Sequence, residues 1–252
     1  MNKELEYYNK IKSWNFDDIH YEEDNLTNWD MYKILKNNAN KDSKILDLGT
    51  GGGEKVLEKF PDVKEIIATD FSEKMIKTAK ENLEKFNRKN RKNIQFKIMD
   101  NLKMNTPNNY FDIVIARHTC ISAKQIYQTL KYNGKLILRG VDKLDCWQLK
   151  RLFNKGQSFL DTKPISQIDY ENILDAGFKN VELVPIYIRE YYKTKEDLLA
   201  LLLKTPILND FSFIGNKDKT DLKKLETYIE NNSYNRGILL RRRYYGIVAE
   251  KC

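Results

Sequence analysis

Short apolar runs alternate with helix-period stretches along the first 145 residues. Lys44–Leu48, Glu65–Asp70, Ile94–Met99, Phe111–Ala116 and Lys135–Val141 are brief and β-branched, the signature of buried strands. Between them, Ser72 is placed to cap a helix from Glu73 to about Phe86. Met75, Ile76, Ala79 and Leu83 fall on one face of it. A second helix, Ser122–Lys131, ends at Asn133-Gly134. The order strand-helix-strand-helix-strand-strand-helix-strand predicts an α/β fold built on a doubly wound, mostly parallel sheet.

The last third follows a different pattern. Ser166–Ala176 reads as a short helix, Val181–Tyr192 as a long strand and Tyr244–Glu250 as a final strand. Pro185 lies inside the long strand and cannot donate to a ladder, so it predicts an edge or a bulge. Between the last two strands lie two helical stretches, Lys195–Lys204 and Lys219–Asn231. They predict a lid insertion over residues 193–240. Residues 1–40 hold aromatic, helix-like segments and predict an N-terminal helical cap. Residues 41–145 form the core, and the whole chain, 1–252, reads as one domain.

Composition narrows the class. Of 252 residues, 41% are hydrophobic and 32% charged, which excludes a wholly disordered chain. Three scattered cysteines and two histidines exclude a disulfide scaffold and argue against structural zinc. No apolar run approaches the roughly 18 residues of a membrane span, and the N-terminal MNKELEYYNKIK has no apolar signal core. The expected setting is the cytoplasm, with reduced thiols and no membrane partner. The net charge of +8 admits a nucleic-acid partner. However, the excess is dispersed. Its two clusters, Arg88–Lys92 and Arg241–Arg243, read as solvated surface.

The segment Ile45–Glu54, ILDLGTGGGE, carries the chemistry. A buried strand runs straight into glycines at the edge where open α/β sheets bind ligands. Asp70 ends the next strand, suitably placed for ribose hydroxyls. A dinucleotide fingerprint would need Gly or Ala at position 54. Glu54 stands there, so NAD fits poorly and a ribose cofactor lacking phosphate fits better.

Five blocks in order resemble class I S-adenosylmethionine-dependent methyltransferases of the small-molecule type. They are ILDLGTGGGE (45–54), IIATDFSEKMI (66–76), IQFKIMDNL (94–102), FDIVIARHT (111–119) and LKYNGKLIL (130–138). The resemblance covers about residues 40–145. It implies a Rossmann-like seven-stranded sheet of order 3-2-1-4-5-7-6 with the last strand antiparallel. It also implies S-adenosyl-L-methionine as cofactor and S-adenosyl-L-homocysteine as product. Gly49, Thr50 and Gly51 would face the methionine part, with Asp47 near its amino end. Asp70 would take the ribose, and Phe71 or Met75 would pack on adenine. Asp100 would meet the adenine amino group, with Asn101 beside it. Arg117 would line the pocket shared by cofactor and acceptor, facing either the cofactor carboxylate or an acidic substrate. Structural roles compete at several positions: Asp47 and Asp100 can cap turns, Met75 can serve the core, and Arg117 can pair with a structural Asp.

Methyl transfer asks mainly for proximity and exclusion of water. His118 follows the fourth strand and is the candidate base, against a structural role at a strand end. The Asn/Asp-Pro-Pro-aromatic block of many nucleic-acid and amine methyltransferases is absent from this position, where Ala116-Arg-His-Thr119 stands. Tyr8, Trp14 and Leu202 are candidate walls of a substrate pocket. The reading is methyl transfer to a small, partly apolar molecule, without a metal. An rRNA or tRNA methyltransferase and a non-catalytic cofactor-binding protein are the alternatives. The acceptor and the oligomeric state are not specified by the sequence.

Overall fold

The computed structural model describes residues 18–86, 93–209 and 218–252. Its centre is a sheet of five parallel strands: β2 (Lys44–Leu48), β3 (Glu65–Asp70), β4 (Ile94–Ile98), β5 (Phe111–Arg117) and β6 (Leu130–Val141). β2 is covered on both faces, which explains its nearly continuous apolar run. The sheet continues through β7 (Lys179–Tyr192) and β9 (Gly237–Glu250), with β9 antiparallel to both β6 and β7.

The spatial order is β1-β7-β9-β6-β5-β2-β3-β4. Its seven central members reproduce the expected 3-2-1-4-5-7-6 with an antiparallel final strand. Two strands were not foreseen, β1 (Tyr21–Asn25) and the two-residue β8 (Ser233–Tyr234). β1 corrects the reading of residues 1–40 as wholly helical. Its sequence YEEDN is polar and lacks strand character, yet it adds antiparallel to β7. Arg236 holds it there, bonding Asp24 at 2.7 Å and Glu22 at 3.1 Å.

Helices cover both faces. On one face lie α1 (Met31–Asn38), α2 (Glu54–Lys59) and α3 (Glu73–Lys85), burying Leu35, Leu57, Ile76 and Ala79 against Ile45, Ile115 and Ile137. Ser72 caps α3 by accepting from the Met75 N–H, as expected. On the other face lie α4 (Ala123–Thr129) and α6 (Ile165–Asp175), with Ile126 and Ile173 packed on Val114, Leu136 and Ile247.

The late segment forms its own core. α5 (Trp147–Phe153), α7 (Lys195–Lys204) and α8 (Asp218–Asn232) enclose Leu149, Leu198, Leu201, Leu202 and Leu225 with Tyr192 and Leu240. β9 starts at Gly237 rather than near Tyr244 and pairs with β7 as far as Tyr192. The expected lid is therefore largely a helical layer packed on an extended β7–β9 ribbon. Pro185 lies on β7 beyond the reach of β1, which pairs only with Ile188–Tyr192. The missing N–H thus faces no partner strand, and the edge reading holds locally.

One charge reading is corrected. Arg242, expected on the surface, is 8% exposed. Strand alternation turns it inward, where Asp145 and Glu190 bind it at 3.0 and 3.1 Å. Arg241 bonds Gln148, and the Arg243 guanidinium lies 3.9 Å from the Tyr187 ring centroid.

Candidate active site

The carboxyl ends of β2, β3 and β5 converge on the glycine loop. The N–H groups of Gly49 and Thr50 both donate to the Thr69 carbonyl, at 2.9 and 2.8 Å, tying the loop to β3. Gly49 has φ +74°, and a Cβ there would lie 2.8 Å from the Thr119 Cβ, so only glycine fits. Gly51 has φ +60°, and a Cβ there would meet nothing within 4 Å. This glycine therefore leaves space beside the backbone.

Asp70 does more than the sequence suggested. Its two carboxylate oxygens accept from the Gly51 and Ser72 N–H groups, both at 3.0 Å. It thereby fixes the loop and the approach to α3 at once, and each oxygen retains a lone pair for a ligand hydroxyl. Burial raises its pKa, opposed by those backbone donors. Asp47 lies deeper. Burial pushes its pKa up to about 7, with Thr50 and the Arg117 guanidinium acting in the opposite direction.

Asp47, Gly49, Thr50 and Arg117 line one cleft with Met31 and Tyr32 of α1, a space of about 250 Å³ including its open mouth. Beside the loop, Asn101 donates to the Thr119 hydroxyl at 2.9 Å. The Asn101 amide oxygen is buried without a hydrogen-bond partner, and the Thr50 hydroxyl, although beside the Asp47 carboxyl, makes no well-formed hydrogen bond. Buried polar atoms are normally satisfied, so these two oxygens flanking a glycine loop mark places for a polar ligand.

The remaining expected residues divide. Phe71 is 37% exposed at the rim, whereas Met75 is only 3% exposed within α3. Asp100 accepts from the Leu102 N–H at 2.8 Å, so one oxygen caps its own turn. His118 has φ +54°, and its N–H donates to the Arg139 carbonyl at 2.8 Å. Its ring stacks on Tyr244 with centroids 5.2 Å apart and planes 6° apart. The residue is nevertheless exposed to solvent. Even so, the surrounding protein, then Arg117, Arg139 and Arg242, hold its pKa well below the ordinary value. The imidazole is therefore neutral at physiological pH. Leu202 is 1% exposed inside the α5–α7–α8 core, where it packs as structure. Tyr8 and Trp14 lie outside the described residues.

A family model described as a methyltransferase domain matches residues 39–206. The chain belongs to this methyltransferase family. None of the curated proteins matches it. Among solved structures, the methyltransferase is similar to the YcgJ protein from Bacillus subtilis, at 17% identity and TM-score 0.59, covering 88% of this chain and 97% of that one. It is also similar to the [4+2]-cyclase SpnF, at 16% identity and TM-score 0.55, covering 88% and 80%. A phosphoethanolamine N-methyltransferase from Haemonchus contortus is similar at 20% identity and TM-score 0.51, covering 88% of this chain and 52% of that one. At these identities the likeness is one of fold, and the fold hosts more than one reaction.

S-adenosyl-L-methionine is the cofactor this family implies, and the residues present fit it. The open side of Gly51, the acceptors of Asp70 and the Thr50 and Asn101 oxygens meet a molecule with ribose, amino and adenine groups. Three neighbours of the candidate residues escaped the sequence reading: Thr119 beside Gly49 and Asn101, and Tyr244 and Arg139 beside His118. Arg139 was not legible in the sequence, because only the β5–β6 register pairs it with Arg117. No arrangement of His, Cys, Asp and Glu among the described residues forms a metal cluster. No helix among them is long and apolar enough to cross a membrane.

Proposed function

We propose that this methyltransferase moves a methyl group from S-adenosyl-L-methionine to a small, partly apolar acceptor. The observation that carries the reading is the glycine loop. Gly51 is open to a ligand, Asp70 locks it from below, and two buried polar oxygens beside it lack well-formed hydrogen bonds.

When bound, the cofactor supplies an activated methyl group on a cationic sulfur. The protein's part is then placement. Asp47, once ionised, meets the amino group, and Arg117 meets the carboxylate. Asp70 takes the ribose hydroxyls, while Phe71 covers the adenine at the rim and Asn101 offers its free amide oxygen. α1 roofs the cleft with Met31 and Tyr32, keeping water from the transfer path. His118 is the candidate base. A neutral imidazole can accept a proton from an acceptor hydroxyl or amine, and its neighbours keep it neutral.

α1 lies across the cleft with Met31 and Tyr32, an arrangement that suits a small acceptor. Of the two basic clusters, residues 88–92 lie outside the described residues, and 241–243 gives an RNA partner less support than its sequence suggests, because Arg242 is buried in ion pairs.

Calorimetric titration with S-adenosyl-L-methionine tests the reading, with NAD as control. Micromolar binding of the first alone is expected. Asp70→Ala should weaken it by at least tenfold, since hydrogen bonds to a charged group contribute about 1.5–3 kcal/mol each. Unchanged affinity would remove Asp70 from the site.

A further inference from the structure

Three arginines, Arg117, Arg139 and Arg242, lie on neighbouring strands β5, β6 and β9, and their charges are treated unequally. Arg242 on β9 has two buried carboxylates, Asp145 and Glu190, bonded to it at 3.0–3.2 Å. Arg117 and Arg139 are direct partners in the β5–β6 register, and strand geometry sends both side chains to the α1 face. Like charges opposite each other repel. Among the described residues, no carboxylate lies within ion-pair distance of either.

Arg139 carries a second sign of an absent partner. Its Nε is buried with no hydrogen bond. Its guanidinium lies over the Tyr244 ring, 4.4 Å from the centroid, while His118 stacks on the same ring at 5.2 Å. A ring contact of this kind satisfies no N–H donor, and the N–H edge is the part of a guanidinium that forks onto an oxyanion. On β9 the residue opposite Arg139 is Gly246, which brings no side chain into the space and is covered by Trp29. The result is a half-buried guanidinium with a buried, unpartnered Nε, two strands from the strand that carries the cofactor loop.

We propose that Arg139 binds an anionic group, a carboxylate or a phosphate, on the methyl acceptor. The inference rests on the cofactor reading above, in which Arg117 is engaged by the cofactor's own carboxylate. With Arg117 so engaged, Arg139 is the guanidinium left for the second molecule. Tyr244 packs against its guanidinium, and His118, the candidate base, stacks on the same ring. The acceptor is thus amphipathic, with an acidic end at Arg139 and its apolar part under α1.

The test uses the full chain with and without saturating S-adenosyl-L-homocysteine. Sodium phosphate and sodium acetate are titrated separately, with chloride holding ionic strength constant. The readouts are the ¹⁵N–¹H resonance of the Arg139 Nε and calorimetry. Thermal shift alone would mislead, because phosphate stabilises folded proteins nonspecifically. At least one anion should shift that resonance saturably at millimolar concentration, and the better anion identifies the group. Arg139→Gln should weaken anion binding at least tenfold while S-adenosyl-L-homocysteine affinity changes less than twofold. Arg139→Lys, which keeps the charge and loses the fork, should weaken it by an intermediate factor and serves where the Gln variant does not fold. No saturable shift with either anion, or undiminished binding in both variants, overturns the proposal. Failure of S-adenosyl-L-homocysteine to bind overturns the cofactor reading instead, and the anion titration of the ligand-free protein still decides Arg139.

Discussion

Asp47 is the residue at which burial and chemistry meet. The ordinary carboxylate value is 3.8, and burial moves it to about 7. Between those values the folded protein holds a proton that the unfolded chain has released. This stabilising contribution is complete below about pH 4 and is lost as pH rises through 7. Cofactor binding runs the other way, since a cationic amino group calls for the ionised carboxylate. Affinity for S-adenosyl-L-methionine should therefore rise about tenfold from pH 6 to pH 8, following the ionised fraction of a group with that pKa. Titrations at the two pH values check this, and Asp47→Asn should flatten the dependence. His118 shows the opposite sign. Its depressed pKa means that stability is lost as pH falls through the ordinary imidazole range, where the unfolded chain takes up a proton.

At the scale of elements, β9 organises the late half of the protein. It joins β6 to β7 and carries Arg242 into a buried network with Asp145 and Glu190. Arg242→Met should cost about 3–5 kcal/mol, because it strands two buried carboxylates. The measurement is chemical denaturation. The helices α7 and α8 rest on the same ribbon. Leu202→Ala should cost about 2–5 kcal/mol by leaving a cavity. Its side chain is enclosed by α5, α7 and α8. Its loss should therefore leave S-adenosyl-L-homocysteine affinity unchanged, and an altered affinity would return Leu202 to the pocket. The start of β9 was read seven residues too late. Residues 237–243 are GILLRRR, and the three arginines hide the alternation that puts only Arg242 inward.

At the scale of the molecule, net charge alone misleads. The value of +8 allows an RNA partner. Yet within 241–243 one arginine is neutralised in the interior, one bonds Gln148 and one stacks on Tyr187. Filter binding to ribosomal or transfer RNA should show no tight association at 50 or 200 mM salt. Strong binding that collapses between the two would revive the nucleic-acid reading. A local concentration of positive charge stands at the carboxyl ends of β5 and β6, where Arg117 and Arg139 lie side by side.

The sequence by itself determined the parallel core and its ligand edge. Strands buried on both faces must be apolar throughout, and a strand running into ILDLGTGGG leaves little freedom for the loop that follows. Gly49, Gly51 and Asp70 were legible for that reason, since short-range geometry governs them. Only the tertiary structure decided the rest. β1 is a strand because β7 had a free edge and Arg236 stood ready to pair with Glu22 and Asp24, which no local propensity records. Asp100 turned partly to its own loop, Leu202 to a closed core and Arg242 to buried carboxylates. Each outcome was set by neighbours distant in the chain. The pairing of Arg117 with Arg139 is of the same kind. Two arginines become a candidate anion site once strand register sets them side by side with no carboxylate of the described residues in ion-pair distance of either.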